Sequence, residues 1–492
     1  MEIEHLEKPW FKLWPEEIPK TLEYPDDFPI YKFLQESAET DPNNVATIFF
    51  DKKIKYGELW DSVLRLAHSL HNLGIKKGDR IGIYLPNCPQ FVIAFFAINR
   101  LGATIVPFNT QYVDHELTYQ LNDSEARTII CIDITYKRVR KIRDKKLVEL
   151  DNIIVASLHD EISLSKRLLG ILFGKIPIRR RIRLNDFSFK ELIDKGDPNG
   201  VPEVEINPKE DLALIQYTGG TTGVSKGAML THYNIVSNQI QLSSLIYPPI
   251  NHGEECYVCA LPLFHIFALN CIMISAISQA SKMILITDPL AGRPLLQDLL
   301  ETLYKYKPTF FHAVPSLYVG LLFHKDIKDY DLTSIRACLS GAAPLPEQVM
   351  YNFEELTGAN VVEGYGLTET SPVTHVNPLT GGGKRAGSIG LPTPDTDVKI
   401  FDAAEGGQDR ELPQGEEGEI GIKGPQVMIG YLNKPDETKN SFNKEGYFLT
   451  GDIGYIDPDG YFFITGRKKD MIDVSGLKVY PREVEEELVE HP

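Results

Sequence analysis

The chain has 492 residues, 42% hydrophobic and 24% charged, an ordinary globular mixture with ample length for a large core and a prior of about two to four domains. With 68 acidic against 51 basic residues the net charge is −17, which argues against nucleic acid as the main partner and requires any anionic ligand site to be locally basic. The acidic start Met1-Glu2-Ile3-Glu4-His5 has no apolar core behind it, so it is not a signal peptide, and the apolar stretches 91–97 and 261–277 are too short or too interrupted to span a bilayer. A cytoplasmic protein is expected.

Along the chain, Leu59, Trp60, Val63, Leu64, Ala67, Leu70 and Leu73 fall at helical spacing, and Gly74 can close that helix. Residues 80–85 read as a strand, 90–101 as a helix closed by Gly102, and 103–108 as the next strand. The alternation predicts an α/β fold layered around a largely parallel sheet. Segment 164–183 carries Lys166, Arg167, Lys175, Arg179, Arg180, Arg181 and Arg183 among Leu168, Leu169, Ile171, Leu172 and Phe173. It reads either as contact with an anionic membrane surface or as a solvated loop.

A buried strand is predicted at 212–217. It runs into Tyr217-Thr218-Gly219-Gly220-Thr221-Thr222-Gly223-Val224-Ser225-Lys226-Gly227. Glycines allow close backbone approach, threonine hydroxyls and bare N–H groups donate to phosphate oxygens, and a lysine adds a point charge. The pattern is a polyphosphate grip at a strand end. It is not the P-loop, because Ser225 precedes and Gly227 follows the lysine where that motif runs Gly-Lys-Ser/Thr into a helix. A helix capped by Thr231 is expected through residue 247.

Cys256 and Cys259 stand beside a strand predicted at 258–263, with no second pair of ligands nearby, and read as structural thiols like the other four cysteines. The α/β alternation continues with 295–306 and 310–314. Near Thr380-Gly381-Gly382-Gly383 the character changes, and 387–465 becomes short strands between turns such as Asp457-Pro458-Asp459-Gly460. Charge density rises after Gly466, and a helix begins at Arg482.

Four further motifs accompany the loop. Leu339-Ser340-Gly341-Ala342-Ala343-Pro344 is a small-residue turn suited to a flat ring. Glu363-Gly364-Tyr365-Gly366-Leu367-Thr368-Glu369 groups an aromatic, a hydroxyl and a carboxylate. Tyr447-Phe448-Leu449-Thr450-Gly451-Asp452 ends in an acid that can accept from two sugar hydroxyls. Gly466-Arg467-Lys468-Lys469-Asp470 offers cations. In this order they resemble the adenylate-forming (AMP-binding) superfamily of acyl-CoA synthetases, luciferases and peptide-synthetase adenylation domains, from about residue 30 onward. The narrower resemblance is to bacterial and archaeal medium- or long-chain fatty acyl-CoA synthetases, carried by 217–223, 364–372 and 466–472 with 474–476 and 479–481.

The resemblance implies a two-step ligase: a carboxylate attacks the α-phosphate of ATP to give an acyl-adenylate and pyrophosphate, then the thiol of coenzyme A displaces AMP. It implies that Thr218, Gly219, Gly220, Thr221, Thr222, Gly223 and Lys226 hold the β- and γ-phosphates. Tyr365 would stack on adenine, with Gly341, Ala342, Ala343, Glu363 and Gly364 along its edges and Gly366 in the same motif. Thr368 would bind the α-phosphate, Glu369 Mg²⁺, and Asp452 and Arg467 the ribose. Lys469 would be the hinge, and His265 in Leu261-Pro262-Leu263-Phe264-His265 the wall between acyl and nucleotide sites. Structural readings stand beside these: Glu369 as a helix cap, Asp452 as a turn closer, Tyr365 and His265 as core, and Lys469 on a solvated face. Leu269 occupies the place where some long-chain members put a gating tryptophan, so no such gate is expected. The implied architecture is an α/β body of two similar subdomains over 1–384, a β-rich subdomain over 385–466, and over 467–492 a hinge with the beginning of an α+β lid. The family's lid lysine, in a Pro-x-Gly-Lys context, has no counterpart before Pro492, so this chain is expected to bind ATP but to adenylate poorly. Other readings are a ligase for an aryl or branched acid, one serving a carrier-protein thiol, or a non-catalytic nucleotide-binding module.

Overall fold

The computed structural model describes residues 8–162, 182–218, 225–245, 251–378, 383–404 and 406–470, and the backbone of 472–474 and 477–479. Its largest sheet has eight strands. Leu212–Tyr217, Thr104–Pro107, Arg80–Tyr84, Thr128–Ile132, Asn152–Ala156 and Phe187–Ser188 lie side by side and parallel. Gly227–Thr231 and then Gly430–Tyr431 extend one edge antiparallel. The parallel strands are runs such as Thr-Ile-Ile-Cys-Ile, whose β-branched residues fit a sheet covered on both faces. Helix Pro89–Arg100 packs into that cover with all its residues buried. Its terminal Arg100 is neutralised by Glu203 at 3.0 Å and stands over the Tyr31 ring. Helix Tyr56–Asn72 is capped by Glu58, which accepts from the Lys55 N–H at 3.0 Å, and the chain leaves it through Gly74 at φ +92°.

A second sheet orders Cys256–Cys259, Lys282–Leu285, Val45–Phe49 and Lys52–Lys55; a third orders Ala337–Ser340, Asn360–Gly366, Val373–Val376 and Leu391–Pro392. The strand expected at 310–314 is instead a connector: Phe310 makes one bridge to Tyr257 and one to Ala337, and Ala313 one to Ser340, joining the two sheets. The strand expected at 258–263 lies earlier, at Cys256–Cys259, because Pro262 starts a turn in which His265 N–H donates to the Pro262 carbonyl. Three residues apart in a strand, Cys256 and Cys259 face opposite ways. Burial pushes the Cys256 thiol up to about 11. The helix expected from 295 begins at Gln297. The later strands Asp397–Phe401, Gly418–Lys423, Phe448–Ile456 and Phe462–Arg467 form an antiparallel sheet of their own.

Burial lowers the pKa of His232 and His375 to about 3 and of His312 to about 4. The folded protein therefore binds fewer protons at these sites than the unfolded chain. The stability they confer is present above the ordinary histidine pKa and is lost as pH falls toward the folded values. Between pH 7 and pH 5 each group is expected to cost about 2 kcal/mol. A melting temperature that stays flat over that interval contradicts this.

Candidate active site

The hairpin Leu212–Tyr217 with Gly227–Thr231 brackets the glycine- and threonine-rich segment at the edge of the parallel strands. Thr218 N–H donates to the Lys226 carbonyl at 2.9 Å, and the Tyr119 hydroxyl donates to the Ser225 carbonyl at 2.9 Å. A Cβ on Gly227 would lie 2.8 Å from Ile215 Cγ2, so strand pairing itself demands glycine there. Gly219, Gly220, Thr221, Thr222 and Gly223 lie outside the described residues. Lys226 is ion-paired with Glu437 and stands 5.1 Å from the Tyr431 ring centroid. The pairing of Gly430 with Met229 and Tyr431 with Ala228 brings that ring to the loop.

The Tyr431 hydroxyl donates to Glu369 Oε1 at 2.6 Å. Glu369 sits in the 3₁₀ turn Thr368–Thr370, and its carbonyl accepts from Met428 N–H at 2.8 Å. Burial raises its pKa, against the opposing effects of the Tyr431 hydrogen bond and the Lys226 and Arg467 charges. The Thr368 hydroxyl has no partner among the described residues. Leu367 N–H donates to Thr370 Oγ1 and to the Pro372 carbonyl, each at 3.0 Å, closing the turn. That closure needs Gly366, where a Cβ would fall 1.9 Å from the Pro372 oxygen. Gly366→Ala is expected to cost about 3 kcal/mol, read by calorimetry; a variant as stable as its parent contradicts the packing.

Two buried amides grip the other side of this turn. Asn238, on helix His232–Leu245, donates to the Val373 carbonyl at 2.7 Å and accepts from its N–H at 3.2 Å. Asn270 donates to the Ser371 carbonyl at 2.7 Å and to Asn238 Oδ1 at 3.1 Å. Asn270 lies in a π-helical turn, Leu269–Ile274, a geometry often found at functional sites. The expected cap is present at the start of the first helix, where Asn234 N–H donates to Thr231 Oγ1 at 3.2 Å.

A second group of expected site residues stands on the ladder between Phe448–Ile456 and Phe462–Arg467, which pairs Asp452 with Arg467. Asp452 is 3% exposed. Its Oδ1 is 2.9 Å from Arg467 Nε, and its Oδ2 accepts from the Tyr365 hydroxyl at 2.6 Å. Burial raises the pKa of Asp452 while Arg467 and Tyr365 pull it back. Each carboxylate oxygen keeps a second lone pair for a ligand hydroxyl. Lys468 is occupied by Glu419 at 2.8 Å, and Lys469 is exposed in the turn Lys468–Asp470. Gly341 ends the strand Ala337–Ser340 with the Phe267 ring 3.2 Å from where its Cβ would be, and Ala342 (φ +69°) and Ala343 are exposed. Glu363 braces this edge: its carboxylate accepts from Leu345 N–H at 3.0 Å and Gly387 N–H at 3.2 Å. A Cβ on Gly364 would meet Leu339 at 2.7 Å.

His265 caps the helical segment after Pro262. Its ring presents exposed area yet is walled by protein, and that surrounding lowers its pKa. Gln216 ties the segment to the hairpin Leu212–Tyr217 with Gly227–Thr231 by donating to the Phe264 carbonyl at 2.9 Å. Leu269 is wholly buried. Elsewhere a cavity of about 30 Å³, room for about one water, is lined chiefly by Leu242, Leu245, Phe310, Leu339, Val362 and Val376.

Contacts thus run Lys226–Tyr431–Glu369 on one flank and Arg467–Asp452–Tyr365 on the other. Tyr431, Glu437, Asn238 and Asn270 were not visible in the sequence as site residues, since their partners are remote and no local pattern marks them. The donor set suits Mg²⁺. Among the described residues no cluster of three His, Cys, Asp or Glu could cage a metal, whereas one carboxylate with a free hydroxyl beside it fits a hard ion that keeps water and substrate phosphates as its other ligands.

The AMP-binding enzyme family matches residues 34–432. A long-chain-fatty-acid–CoA ligase of Bacillus subtilis (strain 168) is 40% identical over 491 residues, 99% of this chain and 84% of that protein. The anthranilate CoA ligase AuaEII in complex with anthranoyl-AMP superposes with a TM-score of 0.83 at 25% identity, covering 95% of this chain and 83% of that one. A long-chain-fatty-acid–CoA ligase from Archaeoglobus fulgidus superposes with a TM-score of 0.76 at 27% identity, covering 96% and 88%.

Proposed function

We propose, from the premise that this chain belongs to the AMP-binding enzyme family, that it activates a medium- or long-chain fatty acid with ATP and passes it to coenzyme A. The supporting observation is the pair of contact chains that gather Lys226 with Tyr431 and Glu369, and Arg467 with Asp452 and Tyr365, in a chain 40% identical to a long-chain-fatty-acid–CoA ligase. Each CH₂ of an acyl tail that is buried would contribute about 0.8 kcal/mol.

The roles follow from the contacts. Thr218 and Lys226, with the loop between them, hold the β- and γ-phosphates; Lys226 must first leave Glu437. Tyr365, fixed through its hydroxyl by Asp452, offers a ring face to adenine, bounded by Gly341, Ala342, Ala343 and the Glu363-Gly364-Gly366 edge. Asp452 and Arg467 take the ribose hydroxyls. Thr368 turns its free hydroxyl to the α-phosphate, and Glu369 holds Mg²⁺, which when bound neutralises phosphate charge. His265, kept neutral, separates the acyl carboxylate from the nucleotide without attracting it as a counter-ion. The attack is an in-line displacement, for which these residues supply position and charge compensation. Lys469 is the proposed hinge.

The test is to incubate the chain with ATP, Mg²⁺, coenzyme A and a panel of carboxylates and to measure AMP and thioester. Thioester formed from straight-chain acids supports the reading. Thioester from aromatic acids alone, or adenylate with no thioester, replaces it.

Among the described residues no helix is long and apolar enough to cross a membrane. The basic segment 164–183 is proposed to touch an anionic membrane surface. Residues 164–181 lie outside the described ones, and Leu184 beside them is fully exposed. Salt-sensitive co-sedimentation with anionic but not neutral vesicles is expected. A cytoplasmic setting is proposed from the six free, buried cysteines.

A further inference from the structure

Lys226, read above as a phosphate ligand, is ion-paired with Glu437 Oε2. The other oxygen of that carboxylate, Oε1, stands 4.0 Å from Lys434 Nζ. One carboxylate thus lies between two ammonium groups, with one oxygen toward each. Lys226 follows the glycine- and threonine-rich segment, whereas Lys434 immediately precedes the short helix Pro435–Asn440 that carries Glu437.

Contacts that do not involve the ion pair fix this helix beside Lys226. Leu432 N–H donates to the Gly227 carbonyl at 2.8 Å, and Tyr431 N–H donates to Thr438 Oγ1 at 2.9 Å. The Thr438 N–H and hydroxyl both donate to the Lys434 carbonyl at 2.9 Å. A Cβ on Gly430, whose φ is +145°, would meet Thr438 Cγ2 at 2.6 Å, so the helix packs directly on its strand. Asn433 Nδ2 donates to the Asp123 carbonyl at 2.9 Å, and Asp123 Oδ2 accepts from the Tyr217 hydroxyl at 2.6 Å. The place of Glu437 is therefore set by the backbone around it. As an acid in the first turn it also suits the helix dipole, a role that Asp436 shares. Asp436 is exposed and makes no ion pair among the described residues.

The pair is built to give way. The Lys226 and Glu437 side chains are 39% and 37% exposed, and exposed ion pairs are weak beside the several charges of a polyphosphate. The Tyr431 ring, 5.1 Å from Lys226 Nζ, keeps the ammonium near the site when the carboxylate releases it. Lys434 stays beside Glu437 as its counter-charge.

We propose that Glu437 is a positioning residue that parks Lys226 in the nucleotide-free protein, competes with the β- and γ-phosphates for it, and exchanges it for Lys434 when they bind. The inference rests on the reading of Lys226 as a phosphate ligand and adds a competitor carried by the chain itself. Such a carboxylate holds the affinity for triphosphate and pyrophosphate below what the lysine alone would give, and so favours the departure of pyrophosphate.

Calorimetric titration of the chain with Mg²⁺-ATP, Mg²⁺-pyrophosphate and AMP tests this with no acid present. Glu437→Gln is expected to tighten ATP and pyrophosphate about two- to five-fold at low salt. The gain should fade at about 1 M salt, where charges are screened within about 3 Å. AMP has no β- or γ-phosphate, so its affinity is expected to stay at the parent value. Asp436→Asn removes an equal charge from the same turn and is expected to tighten neither ligand. Lys434→Gln is expected to weaken ATP and pyrophosphate in the parent and to do so less in the Glu437→Gln protein; an equal effect in both contradicts the exchange. The inference is overturned if Glu437→Gln binds pyrophosphate no tighter than the parent, if AMP tightens as well, or if Asp436→Asn matches it. Lys226→Gln separates this from the reading beneath it. If that variant binds ATP and pyrophosphate as the parent does, the phosphate role of Lys226 falls and the inference falls with it. If it weakens both while Glu437→Gln tightens neither, the inference falls alone.

Discussion

Glu369→Gln is expected to lower acyl-adenylate formation by roughly 10²–10³-fold, the scale on which removal of one charge-stabilising group acts, while leaving the melting temperature unchanged or slightly raised. The amide keeps an oxygen to accept from the Tyr431 hydroxyl, so the contact at 2.6 Å and the backbone bond to Met428 both survive. What is lost is the negative charge that would hold Mg²⁺. The sign of the stability change follows from the raised pKa of Glu369, whose largest cause is burial. A carboxyl with a raised folded-state pKa favours folding when protonated, and that contribution disappears as pH rises through the folded value. At neutral pH the ionised group is a burden that glutamine removes. Activity should show the mirror image. It needs the carboxylate, so its acid limb should lie above the usual glutamate range and should be absent from the residual activity of the variant. If activity and melting temperature fell together, Glu369 would be a structural cap of its turn.

Asp452→Asn is expected to raise the KM for ATP about 30-fold or more, the equivalent of losing charge-assisted hydrogen bonds worth about 2 kcal/mol or more. Asparagine can accept from only one of the two groups that now use both carboxylate oxygens, Arg467 and Tyr365. Arg467 is half exposed, so water compensates it and the stability loss stays small. The ribose hydroxyls have no such substitute. Selectivity among acids should be unaltered, since Asp452 lies on the nucleoside flank. If Asp452 served only to close the Thr450-Gly451-Asp452 turn, where its N–H donates to Thr450 Oγ1 at 3.1 Å, the variant would lose stability and keep its KM for ATP.

The parts of this site that can be read from the chain are those decided locally. The strand at 212–217 has the expected bounds because an apolar run ends at a glycine-rich turn, and Thr231 caps its helix because the cap lies within one turn of its partner. Asp452 and Arg467 come together because the turn at Asp457-Pro458-Asp459-Gly460 folds their strands into a hairpin. The rest depends on remote pairing. Asn238 and Asn270 sit in mostly buried helical segments, so no polar face marks them, and the carbonyls they bind are 135 and 101 residues away. Residues 310–313 have strand-like composition, but they are shared between two sheets and form isolated bridges in place of a ladder. Lys226 looks free in sequence, yet Glu437 and the Tyr431 ring hold it, brought there by a two-residue strand at 430–431.

The measurement that tests the central claim most directly is carboxylate-dependent exchange of labelled pyrophosphate into ATP without coenzyme A, since it isolates the step assigned to Lys226, Thr368, Glu369 and Asp452. Mg²⁺-dependent exchange above the acid-free background, supported by medium- or long-chain fatty acids and abolished in Glu369→Gln, is the predicted result. Exchange with no acid, or only with aromatic acids, would contradict the account.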